Sequence, residues 1–351
     1  MRTLAFTAAA LFVAVVPAQD VISWVDTSTT DRCRVSDFTI LEVKWQTGSG
    51  SDRKSSDLVA SLQVTAVAEK YRRGYAAKEQ NAADTPDQFL AVAKAELEKS
   101  PFLAQFGFWE AGKILYEAGK PAEAFQVFDE LIEKLPDSGF VPRAIALKLE
   151  YYLGGNKAKS AEKVARDYNL LATTKSFPDG YLRESEYYLI MAQAAGGSLK
   201  AADMRNQLDA LSAKCEGRYP SVAHRCRLQV AHSLRADGKL DEALSIYNRI
   251  IADKAADRSS LAGAQLGLGH VQLSRASESN KDAYRAALMA FLRVYVEAQD
   301  AAPDLVAEAL YHGYDASLKW GGTDHRLVAG RLRHVLRTDA RFNETDWAKK
   351  L

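Results

Sequence analysis

Histidine and cysteine are the side chains of this chain best suited to bind a metal ion or to attack a substrate. None of its six histidines forms the His-Glu-x-x-His pair of a zinc protease; they are His224, His232, His270, His312, His325 and His334. No two of its three cysteines form a Cys-x-x-Cys pair. The spacing of these residues therefore predicts no metal ligand and no catalytic residue.

Motifs that bind phosphate or activate a serine are also missing from the sequence. There is no P-loop and no Gly-x-Ser-x-Gly turn. Gly267-Leu268-Gly269 lies in a helical pattern, follows no predicted strand and lacks the third glycine of a dinucleotide-binding turn. Adjacent carboxylates, such as Asp129 with Glu130, fall on the polar faces of predicted helices. We therefore expect a protein that is not an enzyme and that has no cofactor.

Two of the cysteines are placed to meet each other. Cys215 is expected to end one helix and Cys226 to lie in the next, with a turn at 216–220 between them. This placement predicts a Cys215–Cys226 disulfide. The bridge would stabilise the fold by about 2–3 kcal/mol, a contribution limited by the short loop that it closes. The alternative is a pair of buried thiols. Cys33 has no partner in either case.

The first 18 residues resemble a cleavable secretory signal. Arg2 precedes an apolar run at 4–16, and Val16-Pro17-Ala18 fits a cleavage site after Ala18. The run is too short to span a bilayer, which takes about 20 apolar residues. We expect a periplasmic or secreted protein without a transmembrane segment.

Charge gives no indication of a nucleic-acid partner. The formal net charge is +1, and 26% of the residues are charged, with both signs nearly equal in number. A protein that binds nucleic acid through its backbone usually carries a strong basic bias. We therefore expect no nucleic-acid partner, and the oligomeric state stays open.

Residues 19–64 differ in pattern from the rest of the chain. Apolar and polar residues alternate over 39–45 and again over 58–64, which is the period of a strand with one covered face. Residues 21–25 supply a third candidate strand. This pattern predicts a small β element, although a helix beginning at Leu58 after Ser56 or Asp57 is the competing interpretation for the second segment.

From about Thr65 onward the pattern is helical, and two segments share one spacing of small and aromatic residues. The residues are Gly112, Gly119, Ala124 and Phe128 and, 119 residues later, Ala231, Gly238, Ala243 and Tyr247. The spacing predicts two antiparallel helices joined by a tight turn. Weaker pairs are predicted at 66–99, 140–168, 181–215, 259–297 and 304–338, so the domain 65–351 would hold about six or seven hairpins.

These residues, with Pro136, resemble the tetratricopeptide repeat. The resemblance implies a mostly α protein, a right-handed α-solenoid of helix hairpins following the small N-terminal β element. It further resembles bacterial repeat proteins of the periplasm. The usual early aromatic is Phe108 in the first unit, but Arg227 stands there in the second. Gly119 and Gly238 would end the first helices in left-handed caps, whereas Phe128 and Tyr247 would pack between neighbours.

In the tetratricopeptide family the first helix of each pair lines a concave groove. Carried over by spacing, the groove residues are Phe106, Trp109, Lys113, Tyr116 and Glu117 in the first unit and Arg225, Leu228, His232 and Arg235 in the second. Trp109 and Tyr116 suit a peptide anchor, because aromatic residues supply many binding hot spots. The alternatives are that these aromatics pack against the neighbouring pair and that the second set is a solvated helix face.

The sequence thus predicts a non-catalytic scaffold or adaptor that binds a protein or a peptide in the periplasm or cell envelope. A second hypothesis is a structural component of an envelope complex that acts through the β element and the solenoid ends. A third is a binder of small molecules or glycans.

Overall fold

The computed structural model describes residues 20–26, 28–80, 82–298, 301, 303–321, 324–343 and 345–351. The predicted signal segment, residues 1–18, lies outside these residues. The chain divides into two compact units, which meet in sequence between Ala144 and Ile145. Each unit is described by itself.

The first unit contains a five-stranded antiparallel sheet. The strands are β1 (Asp20–Trp24), β2 (Thr29–Phe38), β3 (Glu42–Thr47), β4 (Gly50–Ser55) and β5 (Val59–Gln63). Their order across the sheet is β4-β3-β2-β1-β5. Alternate side chains are buried along β1, as expected for a strand with one covered face. On the covered face Trp24 lies against Trp45, with the ring centroids 5.4 Å apart.

The predicted β element is confirmed, and its details differ from the expectation. The segment after Leu58 forms strand β5, preceded by a short 3-10 helix at Ser56–Leu58, rather than a helix that begins there. Strand β2 was not predicted, because only Cys33, Val35 and Phe38 of its ten residues are buried. Thr39, which the alternation placed in a strand, makes an isolated bridge to Ser138 instead.

The remaining elements are helical. They are α1 (Thr65–Lys70), α2 (Arg72–Glu79), α3 (Thr85–Glu96), α4 (Pro101–Glu117), α5 (Pro121–Lys134), α6 (Val141–Gly154), α7 (Ala158–Thr174), α8 (Asp179–Ala195), α9 (Ala201–Cys215), α10 (Pro220–Ala236), α11 (Leu240–Ala252), α12 (Arg258–Arg275), α13 (Lys281–Glu297), α14 (Pro303–Trp320), α15 (His325–Thr338) and α16 (Asp346–Lys349). The predicted pair at 66–99 is three helices, α1 to α3. The mostly helical fold with a small N-terminal sheet is confirmed.

Consecutive helices pack as hairpins. Helices α4 and α5 contact each other, as do α8 and α9, α10 and α11, α12 and α13, and α14 and α15. Short connections make such neighbours antiparallel. Gly119 and Gly238 have φ of 73° and 78°, so both adopt the left-handed conformation predicted for the ends of α4 and α10. In the described part of the chain, the helices are too short or too polar to cross a lipid bilayer.

The landmarks of the shared spacing are packing residues. Phe128 and Tyr247 are fully buried, and each ring packs directly against a glycine of a neighbouring helix. A Cβ added to Gly112 would lie 2.3 Å from the Phe128 ring, and one added to Gly267 would lie 2.3 Å from the Tyr247 ring. Gly269 faces the Phe291 ring in the same way, at 2.4 Å. The Gly267-Leu268-Gly269 sequence therefore serves close helix packing.

The sheet belongs to the same compact unit as helices α1 to α5. A single sheet buries its apolar face by packing on another element, and here it packs on helical residues of the same unit. Phe38 of β2 lies edge-on to Phe140 at the start of α6, with centroids 5.1 Å apart. The two compact units meet in sequence after Ala144. The domain boundary between residues 64 and 65 stays a prediction.

Candidate functional site

The first unit holds an open cavity of about 550 Å³ between the edge of the sheet and helix α4. We call it the β5–α4 groove. Its lining residues are Ala60, Ser61, Leu62, Gln63, Val64, Thr65, Val67, Ala68, Tyr75, Phe106, Trp109, Glu110, Lys113, Phe140 and Arg143. Strand β5, the start of α1, helix α4 and the start of α6 thus meet at this place. Three of the predicted groove residues, Phe106, Trp109 and Lys113, lie in it.

One wall of the groove is a sheet edge. Among the described strands, β5 pairs with β1 on one side and has no strand on the other. Backbone N–H and C=O groups of alternate residues in such a strand point away from its neighbour. The Arg143 guanidinium donates a hydrogen bond to the carbonyl of Val59 at 2.6 Å and another to that of Ala60 at 3.4 Å. Arg143 therefore fixes the start of β5, while the following residues keep an open edge.

The opposite wall is aromatic. The half-buried Trp109 ring stacks on Phe140 with a centroid distance of 5.3 Å and an angle of 11°, and on Phe128 at 5.8 Å. Phe106 meets Phe140 edge to face at 5.0 Å. Trp109 therefore packs against the core through these two rings and lines the groove as well. The sequence offered two interpretations of Trp109, a groove residue or a packing residue, and in the structure the same ring has both positions.

The charged side chains that line the groove differ in whether an opposite charge within the protein balances them. Glu110 accepts a hydrogen bond from Lys78 at 3.2 Å, so its charge is balanced within the protein. Lys113 lies 3.7 Å from Glu117 at a more exposed position, where such a pair contributes little. Among the described residues, the hydrogen-bond partners of Arg143 are the neutral carbonyls of Val59 and Ala60. The groove therefore offers positive charge from Lys113 and Arg143 to a ligand.

Sequence reasoning found one wall of the groove and missed the other. Tyr116 and Glu117, which were predicted to line it, lie on α4 beyond the cavity; the Tyr116 ring contacts Phe125, with centroids 6.4 Å apart. Strand β5 and Arg143 were not predicted to belong to the site. The alternating pattern of 58–64 was the available signal for an edge strand, but it does not say which helix the strand faces.

The second set of predicted groove residues lies on α10 in the second unit and is engaged in packing. Leu228 is buried and packs closely on Gly263 of α12. A Cβ added to Gly263 would lie 2.6 Å from a methyl carbon of Leu228. Arg225 donates hydrogen bonds to Glu184 at 3.1 Å and to the Tyr188 hydroxyl at 3.2 Å. Arg225 therefore joins α10 to α8. This contact differs from the solvated helix face that was the alternative for this set.

His232 and Arg235, the other two residues of this set, lie near Tyr247. A ring nitrogen of His232 is 2.8 Å from the Tyr247 hydroxyl oxygen, which indicates a hydrogen bond. Burial lowers the pKa of His232 from 6.5 to about 4, with smaller contributions from Arg235 and His270. At neutral pH the imidazole is therefore uncharged, so it does not supply a positive charge to a partner.

The lowered pKa of His232 predicts a loss of stability in acid. Between pH 6.5 and about 4 the unfolded chain binds a proton at this residue that the folded chain does not bind. The unfolding free energy therefore decreases as the pH is lowered through this range. We expect this residue to account for a decrease of up to about 3 kcal/mol across that window. Urea unfolding of the wild type and of His232→Gln at several pH values measures the effect. The variant should show a shallower slope, and the exposed His334→Gln should keep the wild-type slope.

The cysteines are free thiols in the structure, and all three are buried. The predicted Cys215–Cys226 disulfide is therefore not present in it. Burial raises the pKa of Cys215 to about 11 and that of Cys226 to about 12, and Cys215 contributes to the second shift. The two side chains thus lie near each other as predicted, and both are protonated at neutral pH. A bridge between them in oxidised protein stays a prediction.

One group of metal-ligating side chains comes together among the described residues, although the sequence predicted none. It consists of His270 on α12 and of Glu308 and His312 on α14. The signal that was available is the spacing of four between Glu308 and His312, which places both on one face of a helix. The third member lies 38 residues before Glu308, so only the packing of two helices reveals the group.

Comparisons with known proteins give little beyond these observations. No protein-family model matches the sequence, and no curated protein matches it. Among solved structures, the chain is similar to the apo form of the quorum sensor NprR from B. thuringiensis. The TM-score is 0.44 and the sequence identity is 13%, and the alignment covers 79% of this chain and 78% of that chain. The function must therefore be argued from the residues of this chain.

Proposed function

We propose that this protein binds an extended peptide, or an extended segment of a protein, in the β5–α4 groove without catalysing a reaction. The observation that carries the proposal is the open edge of strand β5 facing the half-buried Trp109 across a cavity of about 550 Å³. An exposed sheet edge is a template for a further strand.

The groove supplies the three kinds of contact that such a ligand needs. The backbone of the peptide would pair with β5, which gives affinity that does not depend on sequence. An apolar or aromatic side chain of the peptide would pack on Trp109 and Phe106, where large aromatic surface is available. Lys113 and Arg143 favour a carboxylate on the same segment, since Glu110 is already paired with Lys78.

The wider role that we propose is that of a scaffold or adaptor in the bacterial periplasm or cell envelope. The support for the compartment is the sequence of residues 1–18, with Arg2, the apolar run and the small residues before Ala18. The support for a binding rather than a catalytic role is the composition of the groove. Its lining is aromatic, aliphatic and charged, with Ser61 and Thr65 as its only hydroxyl groups besides Tyr75.

The proposal can be tested with a displayed library of short peptides selected against the full chain. A selected peptide is then titrated against the wild type and against Trp109→Ala, and binding heat gives the dissociation constant. We expect the substitution to weaken binding by about thirtyfold, the size of a hot-spot effect. Methylation of alternate backbone nitrogens of the peptide should weaken binding as well, because a strand-like ligand needs those donors.

A matched control separates this site from a general effect of losing a tryptophan. Trp320 is half-buried like Trp109 but lies at the end of α14 in the second unit. Trp320→Ala should keep the wild-type affinity. Equal weakening by both substitutions, or selection of the same peptides by wild type and Trp109→Ala, would contradict the proposed site.

A further inference from the structure

We infer that His270, Glu308 and His312 form a binding site for a divalent transition-metal ion such as Zn²⁺. This site lies in the second unit and is independent of the peptide groove. We call these three residues the His–Glu–His triad. Their ligand atoms, one nitrogen from each imidazole and one carboxylate oxygen, all lie within 4.8 Å of one another.

The fold brings the triad together through two helices that share a neighbour. Helices α12 and α14 contact each other, and both pack on α13. Phe291 of α13 contacts both imidazoles, with ring centroids 5.5 Å from His270 and 5.8 Å from His312. Gly269 lets this ring approach, because a Cβ there would lie 2.4 Å from it. The two histidines are thus held over one buried aromatic ring.

The triad needs only a small rearrangement to coordinate an ion. The Nε2 atom of His270 is already 2.9 Å from an Oε1 atom of Glu308, and the two imidazole centroids are 4.7 Å apart. Zinc bonds to nitrogen and oxygen of about 2.0–2.2 Å require tetrahedral ligand atoms about 3.4 Å from one another. We expect side-chain rotation to bring the ligand atoms to this spacing without a shift of the helices. Glu308 and His312 already lie on one face of α14, because they are four residues apart.

The chemistry of the three donors selects the kind of ion. Two imidazoles with one carboxylate suit zinc and its first-row neighbours, whereas calcium and magnesium prefer oxygen ligands. The His270 side chain is 15% exposed and that of Glu308 is 28% exposed, so an ion can enter from solvent. Three protein ligands leave at least one position for water or for a group of a partner.

Metal binding is tested on full-length protein that has been treated with a chelator and freed of any histidine tag. Equilibrium dialysis against Zn²⁺, and visible absorption after addition of Co²⁺, report stoichiometry and coordination. We expect one ion per chain in the wild type and an affinity at least about tenfold lower in His312→Ala and in Glu308→Gln. At a Zn²⁺ concentration that saturates only the wild type, the wild type should gain more thermal stability than either of these two variants.

His334→Ala is the matched control, because His334 is an exposed histidine of the neighbouring helix α15. Its affinity for Zn²⁺ should equal that of the wild type. Glu308→Gln nearly preserves the shape of the side chain, so it remains informative if His312→Ala does not fold by circular dichroism. Binding that is absent in the wild type, or equal in wild type and Glu308→Gln, would overturn the inference.

Discussion

Replacing Gly112 with leucine is expected to lower the unfolding free energy of the first compact unit by about 3 kcal/mol or more. A Cβ at this position would lie 2.3 Å from the Phe128 ring, well inside van der Waals contact. Phe128 is fully buried, and Trp109 stacks on it, so the ring has no free space to move into. Leucine adds three more carbon atoms to the same overlap. Urea unfolding followed by tryptophan fluorescence measures the loss.

Gly112→Ala gives the same test with a smaller change. In a helix interior, alanine favours the helical state over glycine by about 1 kcal/mol. Replacing a glycine by alanine should therefore stabilise the protein wherever the new Cβ meets no other atom. Gly330 in α15 is such a site, because nothing lies within 4 Å of its added Cβ. We expect Gly330→Ala to stabilise the protein and Gly112→Ala to destabilise it. Equal effects of the two substitutions would contradict the close packing of α4 on α5.

A second substitution identifies the clash itself. Phe128→Leu removes the ring atoms that the new Cβ meets, at the cost of a cavity. In the double variant Gly112→Ala with Phe128→Leu, we expect the alanine to cost less than it does alone, by about 1 kcal/mol. Additive effects would mean that the two positions do not touch.

The repeat hairpins were predictable because their signal is local. Gly119 and Gly238 mark left-handed turns, and Phe128 and Tyr247 follow at fixed spacing, so each segment carries its own pattern. The segment 66–99 carries no such marks, and it forms three helices instead of one pair. A hairpin can thus be predicted where short-range geometry requires particular residue types.

The sheet and the groove were only partly predictable because their contacts are long-range. Strand β2 has few apolar residues and is recognisable as a strand only from its pairing with β1 and β3. Arg143 reaches carbonyl oxygens of Val59 and Ala60, more than 80 residues earlier in the chain. Neither contact has a local pattern. The aromatic face of α4 did single out Trp109, which lines the β5–α4 groove, and its role in binding stays a prediction.

The His–Glu–His triad was missed for a related reason. Short metal-binding motifs place their ligands within one segment, whereas His270 and His312 lie 42 residues apart on two helices. His232 precedes His270 by 38 residues, so the three histidines recur at about the length of a hairpin. A repeat of that length places equivalent residues on neighbouring helices. Ligand searches in repeat proteins should therefore use the repeat length as well as the helical period.

Replacing Asp20 with alanine is expected to lower the unfolding free energy of the first unit by about 3–5 kcal/mol. The Asp20 carboxylate is buried and accepts hydrogen bonds from the backbone N–H groups of Val35 and Thr65, each at 2.7 Å. It thereby joins β1 to β2 and to the first residue of α1. Alanine would leave the buried N–H of Val35 and the partly buried N–H of Thr65 without this acceptor, and each such loss costs about 1–3 kcal/mol.

Two comparisons make the Asp20 prediction specific. Asp20→Asn keeps one carbonyl oxygen and should lose about half as much stability. Asp52→Ala, on the exposed edge strand β4, should change the unfolding free energy by less than about 0.5 kcal/mol. Urea unfolding provides all three values, and a loss from Asp20→Ala no larger than that from Asp52→Ala would contradict the role of the buried carboxylate.

Asp20 also connects the stability of the sheet to the proposed peptide site. Strand β1, which begins at Asp20, is the strand neighbour of β5, and Val64 and Thr65 line the β5–α4 groove. Loss of the Asp20 hydrogen bonds should therefore weaken peptide binding at temperatures where the protein is still folded. Cleavage after Ala18 would make Asp20 the second residue of the mature chain, so a chain that begins at Val21 should show the same loss of stability and of binding as Asp20→Ala. A shortened chain with the stability of the wild type would show that the N-terminal carboxylate does not hold the groove together.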